Sequence, residues 1–258
     1  MPSDIDVGVP SAARVYDYLL GGAHNFDADR MVGEKVLAVQ PNGRQIASSN
    51  RAFMSRAVRF MVARGIRQFL DLGSGIPTVG NVHEIAQHAG PLCRVVYVDY
   101  DPIAVAHSQL ILEGNPLATV VDADLTDPEA VLRNSTVRSF LDFSQPIGLL
   151  MVAVFHFVSD DKHPADIVKK YVDAIPSGSY VALSHLTADQ MAEEMAGVVE
   201  AMKNSRDPMF FRSYGEVSAL FDGLGVVEPG VVSAPLWRKD YGDEVNQEGV
   251  YAGVGRKP

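Results

Sequence analysis

In Gln68-Phe-Leu-Asp-Leu-Gly-Ser-Gly-Ile-Pro-Thr78, a short apolar run leads directly into a glycine turn, and this segment is the strongest indication of the fold. The run is typical of a central strand, and Gly73 and Gly75 let the backbone turn and approach a ligand closely. As a dinucleotide-binding motif the turn is defective, since Pro77 and Thr78 occupy the stretch where the last glycine of G-x-G-x-x-G should fall. The alternative interpretation is a plain turn between a strand and a helix.

The same alternation of strand and helix continues along the chain. Further apolar runs cover residues 94–99, 119–122, 147–157 and 179–184, and helical stretches lie near 80–89, 102–112, 127–140 and 164–175. Near-continuous apolar strands that alternate with helices predict a parallel sheet covered on both faces. Two last runs, 226–232 and 250–255, have no helix between them and predict an antiparallel finish. The sequence thus predicts an α/β, Rossmann-like, doubly wound, seven-stranded mixed sheet whose last strand is antiparallel.

The N-terminal quarter has a different pattern. Helical spacing predicts helices over residues 11–20, from Asp27 to before Pro41, and over 43–64. We expect residues 1–65 to form a helical cover over the cleft of a core of residues 66–258, within one structural domain. The alternative is that the cover's tyrosines only dock its helices on the sheet. Methionines on a later helix, 188–204, indicate core packing or an adaptable pocket.

Composition and charge exclude several classes of protein. The 258 residues include 22 Lys and Arg against 32 Asp and Glu, a net charge of −10, which disfavours binding to nucleic acid. The single cysteine, Cys93, excludes an internal disulfide. The first ten residues lack the pattern of a secretory signal, and the apolar stretch 147–158 is shorter than the roughly 20 residues of a membrane span. We therefore expect a cytoplasmic protein without a membrane partner.

Carboxylates follow three successive strands of the predicted sheet. Asp71, Asp99 and Asp124 each stand at or just after a strand end, where open parallel sheets bind their ligands. Asp99 is placed to accept hydrogen bonds from ribose hydroxyls, whereas Asp101 before Pro102 has the alternative role of a helix cap. Together the three loops predict an adenosine site without a diphosphate.

Further characteristic sequence segments follow one another along nearly the whole chain. They include Arg14-Val-Tyr-Asp-Tyr-Leu-Leu-Gly-Gly22, the Phe69–Thr78 turn, Val95-Val-Tyr-Val-Asp99, Ala123-Asp-Leu125, His156-Phe-Val158 and Glu228-Pro-Gly230. With these segments the chain resembles class I S-adenosylmethionine-dependent methyltransferases. It is most similar to the bacterial S-adenosyl methyltransferase family, whose acceptors are mostly undetermined.

The resemblance implies a role for each matching position. Asp71, Gly73 and Gly75 would border the methionine part of the cofactor, Asp99 would hold the ribose, and Tyr100 would pack on the adenine. Asp124 and Leu125 would line the adenine edge. In the cover, Asn25 and Arg30 are hard to explain as core residues, and we expect them to contact the amino-acid end of the cofactor. The chain departs from the family at Ala23-His24, where a Lys-Asp pair is expected.

Two histidines are candidates for acid–base chemistry. His156 and His185 end the predicted fourth and fifth strands, so both are expected to face the ligand edge and could take a proton from an acceptor. The alternative is that each is a packed, hydrogen-bonded histidine. His156, Asp160, Asp161 and His163 also lie close in sequence, but they lack a fixed ligand spacing, so we predict no metal site.

These observations favour one function over two others. We expect an S-adenosylmethionine-dependent methyltransferase that acts on a small-molecule acceptor. A non-catalytic S-adenosylmethionine-binding sensor or partner protein is the second hypothesis, and a nicotinamide oxidoreductase is the third. The missing glycine argues against the third. The sequence leaves the acceptor, the methylated atom and the oligomeric state open.

Overall fold

The computed structural model describes residues 7–77, 80–239 and 249–258, so Thr78 of the glycine turn lies outside the described residues. Eight strands form one sheet in the order β3-β2-β1-β4-β5-β8-β6, and β7 pairs with β8. The strands are β1 (Gln68–Leu72), β2 (Arg94–Asp99), β3 (Ala118–Asp122), β4 (Gly148–Val152), β5 (Tyr180–Leu186), β6 (Gly225–Val226), β7 (Val232–Ser233) and β8 (Val250–Arg256).

Ten helices surround this sheet in the described part of the chain. They are α1 (Ala12–Leu19), α2 (Asp27–Val39), α3 (Gly43–Ala63), α4 (Val82–Ala89), α5 (Pro102–Ile111), α6 (Pro128–Arg133), α7 (Ser135–Phe140), α8 (Pro164–Ala174), α9 (Ala192–Met202) and α10 (Tyr214–Ala219). Among the described residues, no helix combines the length and apolar character needed to span a membrane.

The predicted sheet topology is confirmed. Strands β1 to β5 run parallel, with Leu70 of β1 paired to Val96 of β2 and Leu149 of β4. Strand β8 runs antiparallel to β5 along seven residue pairs. Every residue of β1 is buried, as expected of a central strand covered on both faces.

Three predicted elements were wrong in extent. The fourth strand ends at Val152 rather than at residue 157, because Ala153 takes a left-handed conformation (φ 55°) and residues 155–157 form a short 3-10 helix. The run 226–232 forms two-residue strands at its ends, separated by a turn at Gly230 (φ 96°), which raises the strand count from seven to eight. The helix predicted over 127–140 is two helices, because Asn134 is extended and caps the second.

Apolar side chains bury both faces of the sheet. On one face, α3 and α4 pack on β1 and β2 through residues such as Phe53, Met61 and Phe69. On the other face, α6, α7, α8 and α10 pack against the opposite side chains of the same strands. The carboxyl ends of the parallel strands are therefore left for loops and for the N-terminal helices.

An ion pair fixes the first two helices to each other. The Arg14 Nε lies 3.1 Å from a carboxylate oxygen of Asp29, and both side chains are buried. Asp29 also accepts hydrogen bonds from the backbone amides of Ser11 (3.1 Å) and Phe26 (2.9 Å). Since the buried carboxylate has three donors, its desolvation is compensated, and the start of α1 is held against the start of α2.

We expect Gly148→Ala to destabilise the protein, because Gly148 lets α3 approach the sheet. A Cβ there would lie 2.5 Å from Phe69 Cδ1 and 3.1 Å from Met61 Sδ, and both side chains are fully buried. Overpacking of this kind costs about 1–3 kcal/mol. Gly215→Ala in α10 is the control: its Cβ meets nothing within 4 Å, so it should be neutral or stabilising by up to about 1 kcal/mol. Equal unfolding free energies for Gly148→Ala and wild type in urea would contradict the close approach.

Candidate functional site

A cavity of about 420 Å³ lies at the carboxyl ends of the parallel strands. Its strand-end lining includes Asp71, Gly73, Ser74, Gly75, Asp99, Tyr100, Asp101, Asp124, Leu125 and His156. Its lining from helices includes Val15, Tyr16, Val36, Gln40, Ile46, Asn50, Arg51, Met195, Val198 and Met202. Residues from the N-terminal helices therefore meet those of the strand-end loops around one space.

The turn after β1 needs its two glycines for conformational reasons. Gly73 (φ 67°) and Gly75 (φ 66°) are both left-handed, and a Cβ on Gly73 would collide with the side chain of Val154. The amides of Gly73 and Ser74 donate to the Val98 carbonyl at 2.8 and 3.1 Å. The turn is thereby fixed against the end of β2, and its backbone borders the cavity.

Asp99 ends β2 as a buried carboxylate with backbone donors. Its Oδ2 accepts from the Gly75 amide at 2.7 Å, and its Oδ1 accepts from the Asp101 amide at 2.8 Å. Burial raises its pKa to about 6, although both amides act in the opposite direction. Asp101 caps α5 by accepting from the amides of Ile103 and Ala104, so the capping role left open for it is confirmed.

Asp71, near the end of β1, is a further buried acid of the cavity. Burial raises its pKa to about 7, the guanidinium of Arg51 lowers it, and the carboxylate of Asp99 raises it further. Arg51 lines the same cavity from α3. At neutral pH the cavity therefore holds a carboxyl group that would gain from a further cation beside it.

The loop after β3 contributes the third acid. Asp124 Oδ1 accepts from the Thr126 amide at 2.7 Å, which leaves its other oxygen free of protein partners among the described residues. Leu125 is buried, and its carbonyl accepts a hydrogen bond from Tyr171 at 2.9 Å. A carboxylate and an apolar side chain thus stand side by side at this edge of the cavity.

Arg206 and Asp207, which the sequence analysis missed, hold Tyr100 at the cavity. The Tyr100 hydroxyl hydrogen-bonds to Asp207, and the Arg206 guanidinium lies 4.4 Å from the centre of the Tyr100 ring. The other Asp207 oxygen accepts from the Ala12 amide at 2.6 Å. These contacts join residues about 100 positions apart or more, so no local pattern in the sequence signals them.

Asn25 and Arg30 do not line the cavity. The Asn25 amide nitrogen donates to Asp17 Oδ2 at 2.8 Å and to the Gly22 carbonyl at 2.9 Å. Arg30 donates to the carbonyl and side-chain oxygen of Asn25 at 2.8 and 3.0 Å, and is itself exposed. Their contacts shape the loop between α1 and α2, where the buried Asp17 is the central acceptor.

Of the two histidines, only His156 lines the cavity. His185 is fully buried in β5, with Nδ1 2.6 Å from the Leu186 carbonyl and Nε2 2.8 Å from an Arg212 nitrogen. A carbonyl can only accept and a guanidinium can only donate, so Nδ1 carries the proton and Nε2 does not. Burial lowers the pKa of His185 to about 4. With both nitrogens engaged, it is held neutral away from any ligand.

His156 is also neutral, but it borders the cavity from the 3-10 helix after β4. Its Nδ1 accepts from the Leu186 amide at 3.4 Å, which leaves the proton on Nε2. Burial, His185 and Arg212 lower its pKa well below the usual value. The ring can therefore donate a hydrogen bond into its surroundings, whereas it is poorly placed to take up a proton.

The loop that suggested a loose metal-like cluster is organised by an arginine. Asp160 is ion-paired with Arg212 at 2.6 Å, and Arg212 also donates to the carbonyls of Phe155 and Val158. Within residues 7–77, 80–239 and 249–258, no three His, Cys, Asp or Glu side chains converge as metal ligands.

The polar lining of the cavity suits a cationic ligand with several hydrogen-bond donors. Asp71, Asp99 and Asp124 supply acceptors on three neighbouring strands. Among the described residues, Asp101 Oδ2 and Ser74 Oγ are buried without a protein partner, although both residues line the cavity. Buried polar atoms are nearly always hydrogen-bonded, so these two indicate where a bound molecule or water completes the structure.

Known proteins with this architecture identify the family. The sequence model of the family described as S-adenosyl methyltransferase matches residues 1–258. The chain is 38% identical to a DUF574 family protein from Streptomyces avermitilis, with a TM-score of 0.95 and coverage of 99% of this chain and 100% of that one. It is also 38% identical to a candidate methyltransferase from Thermobifida fusca, with a TM-score of 0.94 and coverage of 99% and 98%.

More distant structures share the fold alone. The N-methyltransferase NodS from Bradyrhizobium japonicum, solved in complex with S-adenosyl-L-homocysteine, is 14% identical with a TM-score of 0.53, over 95% of this chain and 99% of that one. A search of curated proteins finds no match. The full-length family match and the two relatives at 38% identity show that this chain belongs to the S-adenosyl methyltransferase family, a family of methyltransferases whose cofactor is S-adenosylmethionine.

Proposed function

We propose that this chain transfers the methyl group of S-adenosylmethionine to a small-molecule acceptor inside the cavity. The observation that carries the proposal is that one cavity joins acidic strand-end loops to apolar helix faces. The cofactor supplies an electrophilic methyl carbon on a sulfonium. Acidic side chains in a partly dehydrated site attract that cation, and the helices exclude water from the acceptor.

The proposed cofactor contacts follow the order of the strands. Asp71 and the backbone of Gly73 and Gly75 would border the methionine part, with Asp71 as partner of its ammonium group. Asp99 would accept from the ribose hydroxyls with the lone pairs that its two amide donors leave free. Tyr100 would pack on the adenine, and Asp124 and Leu125 would line the adenine edge, where Asp124 accepts from the exocyclic amine.

We propose an indirect role for Asn25 and Arg30. Their hydrogen bonds to each other and to Asp17 support the loop that connects α1 to α2. This loop helps to set the position of α1, which lines the cavity through Val15 and Tyr16. Both residues would then affect cofactor binding by positioning the helical cover.

The chemistry proposed here depends on proximity more than on a general base. His156 is the histidine at the cavity, and its neutral ring offers an N–H that can orient the acceptor's polar group. Holding two reactants in line and excluding water can lower a barrier by roughly 7–11 kcal/mol in favourable cases. His185 would act as a positioning residue, because its contact with Arg212 supports the loop that carries His156.

Cofactor binding tests the proposal directly. Calorimetry should detect binding of S-adenosylhomocysteine and no comparable binding of NAD. Asp99→Asn should weaken the binding of S-adenosylhomocysteine about tenfold or more, because hydrogen bonds to charged groups contribute about 1.5–3 kcal/mol. Asp122→Asn is the matched control, since Asp122 pairs with Asp99 in the sheet but is exposed and does not line the cavity. Tighter binding of NAD, or equal losses in the two variants, would contradict the proposed site.

Cofactor affinity should rise with pH through neutrality. Burial raises the pKa of Asp71 from 3.8 to about 7 in the free protein, so its carboxyl is mostly protonated at pH 6 and mostly ionised at pH 8. If the ionised form holds the ammonium group, the dissociation constant for S-adenosylhomocysteine should fall about tenfold from pH 6 to pH 8. Asp71→Asn should bind more weakly and lose this dependence. An unchanged pH profile in Asp71→Asn would exclude Asp71 as the partner.

The neutral state of His185 can be observed in solution. ¹⁵N NMR of the imidazole rings should show a protonated Nδ1 and an unprotonated Nε2, unchanged from pH 8 to pH 5, because burial lowers the pKa of His185 to about 4. The signals are assigned by their loss in His185→Gln. Titration of this ring near pH 6.5 would show that it is free to act as a base.

A further inference from the structure

We propose that the methyl acceptor is an uncharged, mostly apolar small molecule with one nucleophilic heteroatom, held at the end of the cavity between α1, α2 and α9. This inference rests on the proposed methyl transfer and names the class of its substrate. We call this end the methionine chamber and define it by Val15, Val36, Met195, Val198, Met202 and Met209, which line the cavity and pack in one apolar cluster.

The faces that α1, α2 and α9 turn to the chamber carry no charge. Helices α1, α2 and α9 carry acidic and basic residues, yet none of these is among the described residues that line the cavity. Two of them, Arg14 and Asp29, neutralise each other in a buried ion pair. The strand-end side of the cavity, in contrast, has Asp71, Asp99 and Asp124. The cavity therefore has a strand-end side with three acids, which matches the cofactor, and a side formed by α1, α2 and α9 whose lining is uncharged. Lys162, Arg206 and Asp207 line the cavity from segments outside these three helices.

The polar side chains of Tyr16 and Gln40, which line the cavity beside the chamber, already have partners. The Tyr16 hydroxyl donates to the Ala47 carbonyl and accepts from the Asn50 amide, each at 3.0 Å. The Gln40 amide group contacts Met191 Sδ at 3.3 Å and accepts from the Asn42 amide at 3.2 Å. A charged acceptor would leave water without gaining a partner from these helices, whereas an apolar one loses little.

The walls of the methionine chamber can adapt their shape to a bound molecule. Met195, Met202 and Met209 supply flexible, polarisable side chains to the chamber walls, and such side chains adapt to irregular or planar apolar surfaces.

The acceptor's heteroatom would face the strand-end side, where its lone pair forms the bond to the methyl carbon as the carbon–sulfur bond breaks. The sulfur keeps the bonding electron pair, and the proton of the heteroatom passes to solvent.

A matched pair of probes tests this assignment on the full chain. The probes are 2-naphthol and 2-naphthoate, which share a ring system and differ in charge at pH 7. Calorimetry is performed on protein saturated with S-adenosylhomocysteine. We expect 2-naphthol to bind at least tenfold more tightly than 2-naphthoate. Equal or tighter binding of the carboxylate would overturn the assignment, whereas failure to bind S-adenosylhomocysteine at all would instead contradict the proposed function.

Variants of the chamber residues test where 2-naphthol binds. Met195→Gln keeps the side-chain length but adds polar atoms, so it should weaken 2-naphthol at least fivefold while the affinity for S-adenosylhomocysteine stays unchanged. Val36→Thr on the opposite helix should weaken 2-naphthol in the same way and covers the case in which Met195→Gln fails to fold. Glu193→Gln, on the exposed side of α9, should change neither affinity. Probe binding that is insensitive to both chamber variants would overturn the proposed location.

Discussion

The hydrogen bond from the Gly75 amide to the Asp99 carboxylate is the contact on which the strand-end side of the cavity depends. It joins the glycine turn after β1 to the end of β2, and the neighbouring amides of Gly73 and Ser74 attach the same turn to Val98. A side chain at position 73 would collide with Val154, which follows β4. The turn thus joins the ends of β1 and β2 to the loop after β4, and Asp71 and Asp99 on the first two strands face a common cavity as a consequence.

The acidic lining opposes stability in the free protein. Burial raises the pKa of both Asp71 and Asp99, so each ionised carboxylate is less stable in the fold than in water. By pH 8 both groups are mostly ionised, and most of their cost is then present. A bound cation would remove part of this cost, and the gain would appear as binding free energy. Strained or poorly solvated groups of this kind are typical of functional sites.

The sequence predicted the ends of β1, β2 and β3 well and the contacts of the N-terminal helices poorly, for a physical reason. Alternating strands and helices and the glycine turn are local patterns, so β1, β2 and the carboxylates beside them could be read directly. The partners of Tyr100 and the orientation of Asn25 depend on packing between distant segments. His185 was expected at the ligand edge because the fifth strand was predicted to end at residue 184, whereas β5 continues to Leu186 and keeps His185 within the sheet. The left-handed Ala153, which ends β4 early, has no sequence signal of the kind that glycine gives.

Helix α3 links the two sides of the cavity. Ile46 and Asn50 are four residues apart, so they occupy the same face of the helix on successive turns. Ile46 packs with the methionine chamber, whereas Asn50 donates to Tyr16 and accepts from Ser184 Oγ at 2.5 Å. Ser184 in turn accepts from the Ala153 amide at 2.9 Å. This chain of contacts connects α1, α3, β5 and the end of β4 at the boundary between charged and apolar lining. Because these groups are buried and mutually satisfied, the boundary is fixed by the fold, and a cofactor and an acceptor on either side of it would meet at a set distance.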